Sequence, residues 1–235
     1  ILRDPTRVDE ADIVLVESTY GGREHEAQDA AIEKLASVVR ETAAKRGVLL
    51  VPSFAIGRTQ EIVWQLDRLL EAGRIPELPV YLDSPMAKSA SDIYRNHPEA
   101  YDEETATLLR EQHSPLDYPL QRVVQNVHES EGIARAHPPY VIVASNGMLT
   151  GGRSVGHAER LLDDPKATVL FVGYQGEGTL GGHLIRGATS ARINGREMRV
   201  RATVTSLDGF SAHSDEPELI DWLGGFITGR RPGDP

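Results

Sequence analysis

The sequence predicts an α/β fold: a mostly parallel sheet flanked by helices, followed by a hairpin and a last helix. Three observations predict it. Brief apolar runs, often β-branched, recur along the 235 residues. Stretches with apolar residues at helical spacing separate them. Gly, Ser and Pro gather at the ends of the runs, where a parallel strand would hand over to a helix.

The runs at 13–16, 48–51, 80–82, 123–127, 140–144 and 168–172 suit strands buried on both faces, the first of them a strand at the N-terminus. Ile32, Leu35, Ala36, Val39 and Ala43 recur at helical spacing. So do Ile62, Val63, Leu66, Leu69 and Leu70, with Gly73 placed to stop that second helix. The tail departs from the alternation. Residues 191–205 read as a hairpin whose Asn194-Gly195 fits a type I′ turn. Asp215 can cap a final helix with Glu218 at its third position and Leu219, Ile220 and Leu223 inward.

Hydrophobic residues make up 40% and charged residues 26%, as in soluble globular chains. No apolar run reaches the ~18 residues needed to cross a bilayer, so no membrane span is expected and a cytoplasmic location fits. Cysteine is absent, which excludes disulfides and thiolate metal sites. The net charge of −10 argues against general coating of nucleic acid, yet leaves room for a local basic groove. The chain opens at Ile1 rather than Met and stops at "RRPGDP". Both ends read as cuts, so a fragment is expected.

Ligands of open α/β sheets lie beyond the carboxyl ends of strands, and the unusual residues gather there. "SFAIGRTQEIVWQL" runs from a strand into a Gly turn and a helix N-terminus, where backbone N–H groups and Arg58 could grip an anion. An ordinary loop with Arg58 paired to a carboxylate reads equally well. "ASNGMLTGGRS" repeats the arrangement with Ser145, Gly147 and Ser154. "GYQGEGTLGGHLIRG" satisfies G-x-G-x-x-G at Gly176, Gly178 and Gly181, but the following helix meets Gly187 too soon, which weakens the dinucleotide reading. His183, alone, is a structural donor; beside Glu17 it would be a proton donor. His213 in "GFSAHSD" sits between a strand and a capped helix, a rigid mount for a metal ligand. The other histidines, His157 among them, read as surface residues. Asp83 in "YLDSPMA" reads as a catalytic carboxylate or as the cap of the helix that starts near Pro85, the cap being favoured.

In this order, "VLVESTYGGREHE", "VPSFAIGRTQE", "YLDSPMA", "VIVASNGMLTGGRS", "GYQGEGTLGGHLIRGA" and "SLDGFSAHSD" resemble the β-CASP branch of the metallo-β-lactamase superfamily, which includes RNase J and the cleavage and polyadenylation endonuclease. The resemblance implies a zinc-dependent ribonuclease acting on single-stranded RNA. It implies that Glu17 and His183 are catalytic, the histidine protonating the leaving oxygen, and that His213 is a ligand to one of two zinc ions. Ser53, Arg58, Ser145 and Gly147 become expected phosphate contacts. The family's His-x-His-x-Asp-His run is not in this sequence, so the metal site would be incomplete and the fragment inactive. The resemblance divides the chain into a metallo-β-lactamase segment at 1–20, a β-CASP domain at 21–180 and a C-terminal metallo-β-lactamase segment at 181–235. The truncated surface, with Trp222 and Phe226, would be exposed or covered by a neighbouring chain, as in a homodimer. Two alternatives stand beside this reading: a stand-alone RNA- or phosphate-binding module, and an NAD-binding oxidoreductase resting on the glycine run alone.

Overall fold

The computed structural model describes residues 1–8, 10–111, 113–114 and 116–228. Its elements begin with α1 (Gln28–Ala44), β1 (Val48–Pro52), α2 (Arg58–Glu71), β2 (Val80–Asp83), α3 (Pro85–Asn96) and α4 (Glu103–Arg110). There follow β3 (Gln121–Val123), α5 (Val127–Gly132), β4 (Tyr140–Ala144), α6 (Arg153–Leu161), β5 (Thr168–Phe171) and α7 (Leu180–Ile185). The chain closes with β6 (Ser190–Ile193), β7 (Arg196–Arg199), β8 (Thr203–Ser206) and α8 (Glu216–Thr228).

The main sheet has six strands in the order β3-β2-β4-β1-β5-β8, with every pairing parallel. Its inner strands are buried on both faces, which is why they read as unbroken apolar runs. Alternate side chains divide between two cores. Leu49, Val51, Val143 and Leu170 meet Leu35 and Val39 of α1 and Ile62, Leu66 and Leu69 of α2. Leu50, Ile142, Val169 and Phe171 meet Ala158 and Leu161 of α6, Leu184 of α7 and Ile193 of the hairpin. From β1 the chain passes through α2 toward β2 and β3; from β4 it passes through α6 to β5, on the other side of β1. The connections therefore diverge at the adjacent carboxyl ends of β4, β1 and β5, where an open α/β sheet is expected to take a ligand.

Several local expectations hold in detail. Asn194 and Gly195 take φ of 49° and 80° between β6 and β7, the positive values a type I′ turn needs. Gly73, at φ 64°, ends α2 and donates its N–H to Leu70 O. Asp215 Oδ1 accepts from Glu218 N–H at 3.1 Å while Glu218 Oε2 accepts from Asp215 N–H at 3.1 Å, a reciprocal cap on α8.

Three expectations are corrected. Residues 13–16 form no strand: Ile13 and Leu15 are 81% and 93% exposed, and no described strand pairs with this stretch. An apolar run becomes a strand only where a ladder partner reaches it. The expected strand at 123–127 is displaced. β3 ends at Val123, and Asn126 caps α5 by accepting Glu129 N–H at 3.0 Å. The hairpin is shorter than 191–205, because β8 leaves it to pair in parallel with β5 at the sheet edge.

One buried carboxylate yields a stability prediction. Asp67 of α2 is 9% exposed; burial, with Glu71 adding repulsion, pushes its carboxyl up to about 6. A raised carboxylate pKa means the folded state favours the neutral form, so the penalty is full above pH 6 and gone below pH 4. Asp67→Asn is expected to stabilise the chain by roughly 1–2 kcal/mol at pH 8, the gain fading as pH falls to 4. Denaturation midpoints of both proteins across that range check it.

Candidate functional site

The site is assembled where the N-terminal segment crosses the start of α8. Tyr20 forms an isolated parallel bridge with Asp215, which brings the 17–20 segment beside the 211–215 loop. Glu17 Oε2 then lies 3.3 Å from His213 Nδ1, and Glu17 Oε1 accepts Ser214 N–H at 3.2 Å. The Thr19 backbone N–H, at 2.8 Å, and its hydroxyl hold the Glu17 carboxyl below the usual carboxylate range, and nearby His213 adds to this. His25 braces the loop: its backbone N–H donates to Asp215 Oδ2 at 3.0 Å, and its Nε2 donates to His213 O at 2.9 Å. Tyr20, 4% exposed, packs edge-on to His25 at 4.5 Å between ring centres and lies 6.2 Å from His213.

His183 lies elsewhere. It sits on α7, with Nε2 donating to Ser190 O at 3.2 Å, and no hydrogen bond or ion pair joins it to Glu17 or His213 among the described residues. Between these groups Tyr20, Arg23, His25, Tyr174, Gln175 and Asp208 line an open cleft of about 420 Å³. Tyr20 and Tyr174 meet edge-on at 6.1 Å, and the Arg23 guanidinium stands 5.9 Å over the Tyr174 ring.

The expected phosphate contacts separate into two kinds. Arg58 opens α2 and is 6% exposed, yet its Nε and Nη1 make no hydrogen bond among the described residues. Burial pulls its pKa below the ordinary arginine value, and the nearby Tyr20 and Glu61 offset only part of this. A buried guanidinium without a counter-charge is costly, and an oxyanion reaching it would satisfy both donors at once. The others shape their loops. Ser53 is 1% exposed and accepts from the Thr59 hydroxyl at 3.2 Å. The Ser145 hydroxyl donates to Ser84 Oγ at 3.0 Å. Gly147 O accepts from Gln175 Nε2 at 3.0 Å, which ties the β4 and β5 loops together. The backbone donors expected at these helix starts are engaged: Arg58 N–H donates to Ile56 O, Thr59 N–H to Phe54 O and Ser154 N–H to Ser145 O. Of the groups expected to hold an anion, the Arg58 side chain is the one with donors that make no hydrogen bond among the described residues.

A second polar cluster went unread in the sequence. Asp83 does not cap α3; Ser84 does, accepting Ala87 N–H at 3.1 Å. That leaves Asp83 wholly buried at the end of β2, where Ser130 of α5, Arg153 at the start of α6 and His157 Nε2, at 2.6 Å, all donate to it. Burial pushes the Asp83 carboxyl up, but the hydrogen bonds from His157, Ser130 and Arg153 outweigh this and hold it below its usual value. His157 is 1% exposed rather than a surface residue, and its Nδ1 accepts from Arg160. Arg153 ends the 145–152 loop, so this ion cluster anchors that loop.

A parallel six-stranded sheet with helices on both faces and a buried arginine with unpaired donors define an α/β protein of the open-sheet class. A family model of the Beta-Casp domain matches residues 59–184, more than half of the chain, and the chain belongs to that family. A second model, the Zn-dependent metallo-hydrolase RNA specificity domain, matches residues 197–227, the stretch that carries His213. The chain is 37% identical over 225 residues to ribonuclease TTHA0252 of Thermus thermophilus, covering 96% of this chain and 52% of the relative. It is 34% identical to transcription termination factor FttA of Thermococcus kodakarensis, covering 93% of this chain and 35% of the relative. The same factor from Pyrococcus horikoshii is 34% identical, covering 89% and 33%. The chain thus spans about half the length of the first relative and a third of the others.

Proposed function

We propose that this chain is the substrate-gripping part of a zinc-dependent ribonuclease that hydrolyses phosphodiester bonds of single-stranded RNA. The observation that carries the reading is the Glu17–His213 pair, 3.3 Å apart, with His213 inside the segment matched by the metallo-hydrolase RNA specificity domain. The names of the relatives, a ribonuclease and transcription termination factors, support it. In this reading Glu17 and His183 are the catalytic residues, His183 serving as proton donor to the leaving oxygen. Arg58 neutralises a backbone phosphate.

The zinc itself requires more than these residues. A catalytic zinc takes about three protein ligands, and no group of three or more His, Asp or Glu able to hold a metal occurs among the described residues. The described residues do not make the centre; two zinc ions would need ligands beyond them. The purified chain, stripped of metal and reloaded with zinc, is therefore expected to leave a labelled single-stranded RNA intact. Zinc-dependent turnover would overturn that.

A second reading, a stand-alone RNA- or phosphate-binding module, is favoured by Arg58, whose unpaired donors call for an anion whether or not hydrolysis follows.

A further inference from the structure

We propose that Phe54 is a stacking platform for a nucleobase of the bound strand, placed beside the phosphate grip of Arg58. The inference rests on the RNA reading above and adds to it a base-contacting residue. Phe54 follows β1 and is 40% exposed, although it lies between the loops that follow β4 and β5. A glycine on one neighbouring strand end makes room for it. A side chain at Gly147, after β4, would start 3.2 Å from the Phe54 ring, a tight approach, whereas one at Gly173, after β5, would start 4.0 Å from it in ordinary contact. The ring therefore takes space that a side chain at 147 would contest, and stays partly exposed.

The same turn commits the occupant. Thr59 N–H and its hydroxyl both bond Phe54 O, at 3.2 and 2.7 Å, so the backbone at Phe54 is fixed against the first turn of α2. Arg58, one residue earlier, brings the buried guanidinium with unpaired Nε and Nη1. An aromatic face alone could take any apolar partner. Paired within one turn with a cation that makes no ion pair among the described residues, it fits a ligand that is aromatic at one end and anionic at the other, which is a nucleotide unit. Aromatic stacking of this kind tolerates any base, because each presents a π-face.

The test uses the full chain at low salt and two fluorescent oligomers, a 12-nucleotide single-stranded RNA and an abasic ribose-phosphate strand of the same length. Phe54→Ala is expected to weaken binding of the RNA about five- to a hundredfold, Phe54→Tyr to restore it, and neither to change binding of the abasic strand. Circular dichroism and melting confirm that both variants fold. RNA binding independent of the residue at 54, or equal loss for both strands in Phe54→Ala, overturns the stacking role while leaving the RNA reading intact. Failure of the unaltered chain to bind either strand overturns both.

Discussion

Replacing Asp83 by alanine is expected to destabilise the chain by about 3–5 kcal/mol, because Arg153 and His157 are left without the carboxylate that compensates them. For a chain of this size that lowers the melting temperature by about 10 °C or more. The pH dependence follows from the lowered Asp83 pKa. The stabilisation is complete above the unfolded pKa, about 3.9, and is lost as pH falls through the folded value. The gap between Asp83→Ala and the unaltered chain should stay constant from pH 5 to 8 and narrow below pH 4. A gap under 1 kcal/mol would show that the cluster is not a joint between β2, α5 and α6.

Arg58→Met is expected to act in opposite directions on stability and on binding. Removing a guanidinium that is buried without an ion pair, its burial only partly offset by Glu61, while keeping an apolar chain of similar length, should raise stability by roughly 1–3 kcal/mol. The same change should weaken binding of single-stranded RNA by at least about tenfold, since a charge-assisted contact to phosphate contributes roughly 1.5–3 kcal/mol. Melting curves and fluorescence titrations on the same preparations check both signs. A structural arginine would give the reverse on the first measurement: Arg58→Met would unfold at lower temperature. A trade of stability for binding is what a site evolved for a ligand shows.

The sheet was legible in the sequence because its inner strands are buried on both faces, so burial alone wrote the apolar runs at 48–51, 140–144 and 168–172. Turns and caps were legible where one residue type does one job, as at Asn194-Gly195 and Asp215. The run at 13–16 carried the same apolar signal and formed no strand, because pairing depends on partners that lie far off in sequence. Asp83 was misread for a related reason. "DSP" offers two cap acceptors, Ser84 takes the role, and the residues that claim Asp83 arrive from α5 and α6. In the site, Glu17 lies beside His213, whereas His183, read as its partner, bonds to the hairpin. Phe54 gave no signal of its own, since exposure of an aromatic residue between two strand-end loops is a property of the fold.

The central claim is that the ends of β1, β4 and β5 form one cradle for an RNA strand. Amide hydrogen exchange of the full chain, with and without saturating single-stranded RNA, tests it most directly. Slowed exchange concentrated in residues 53–58, 145–152 and 173–179 is the predicted result. Protection confined to α3 and α4, or none anywhere when binding is saturated, would contradict the account.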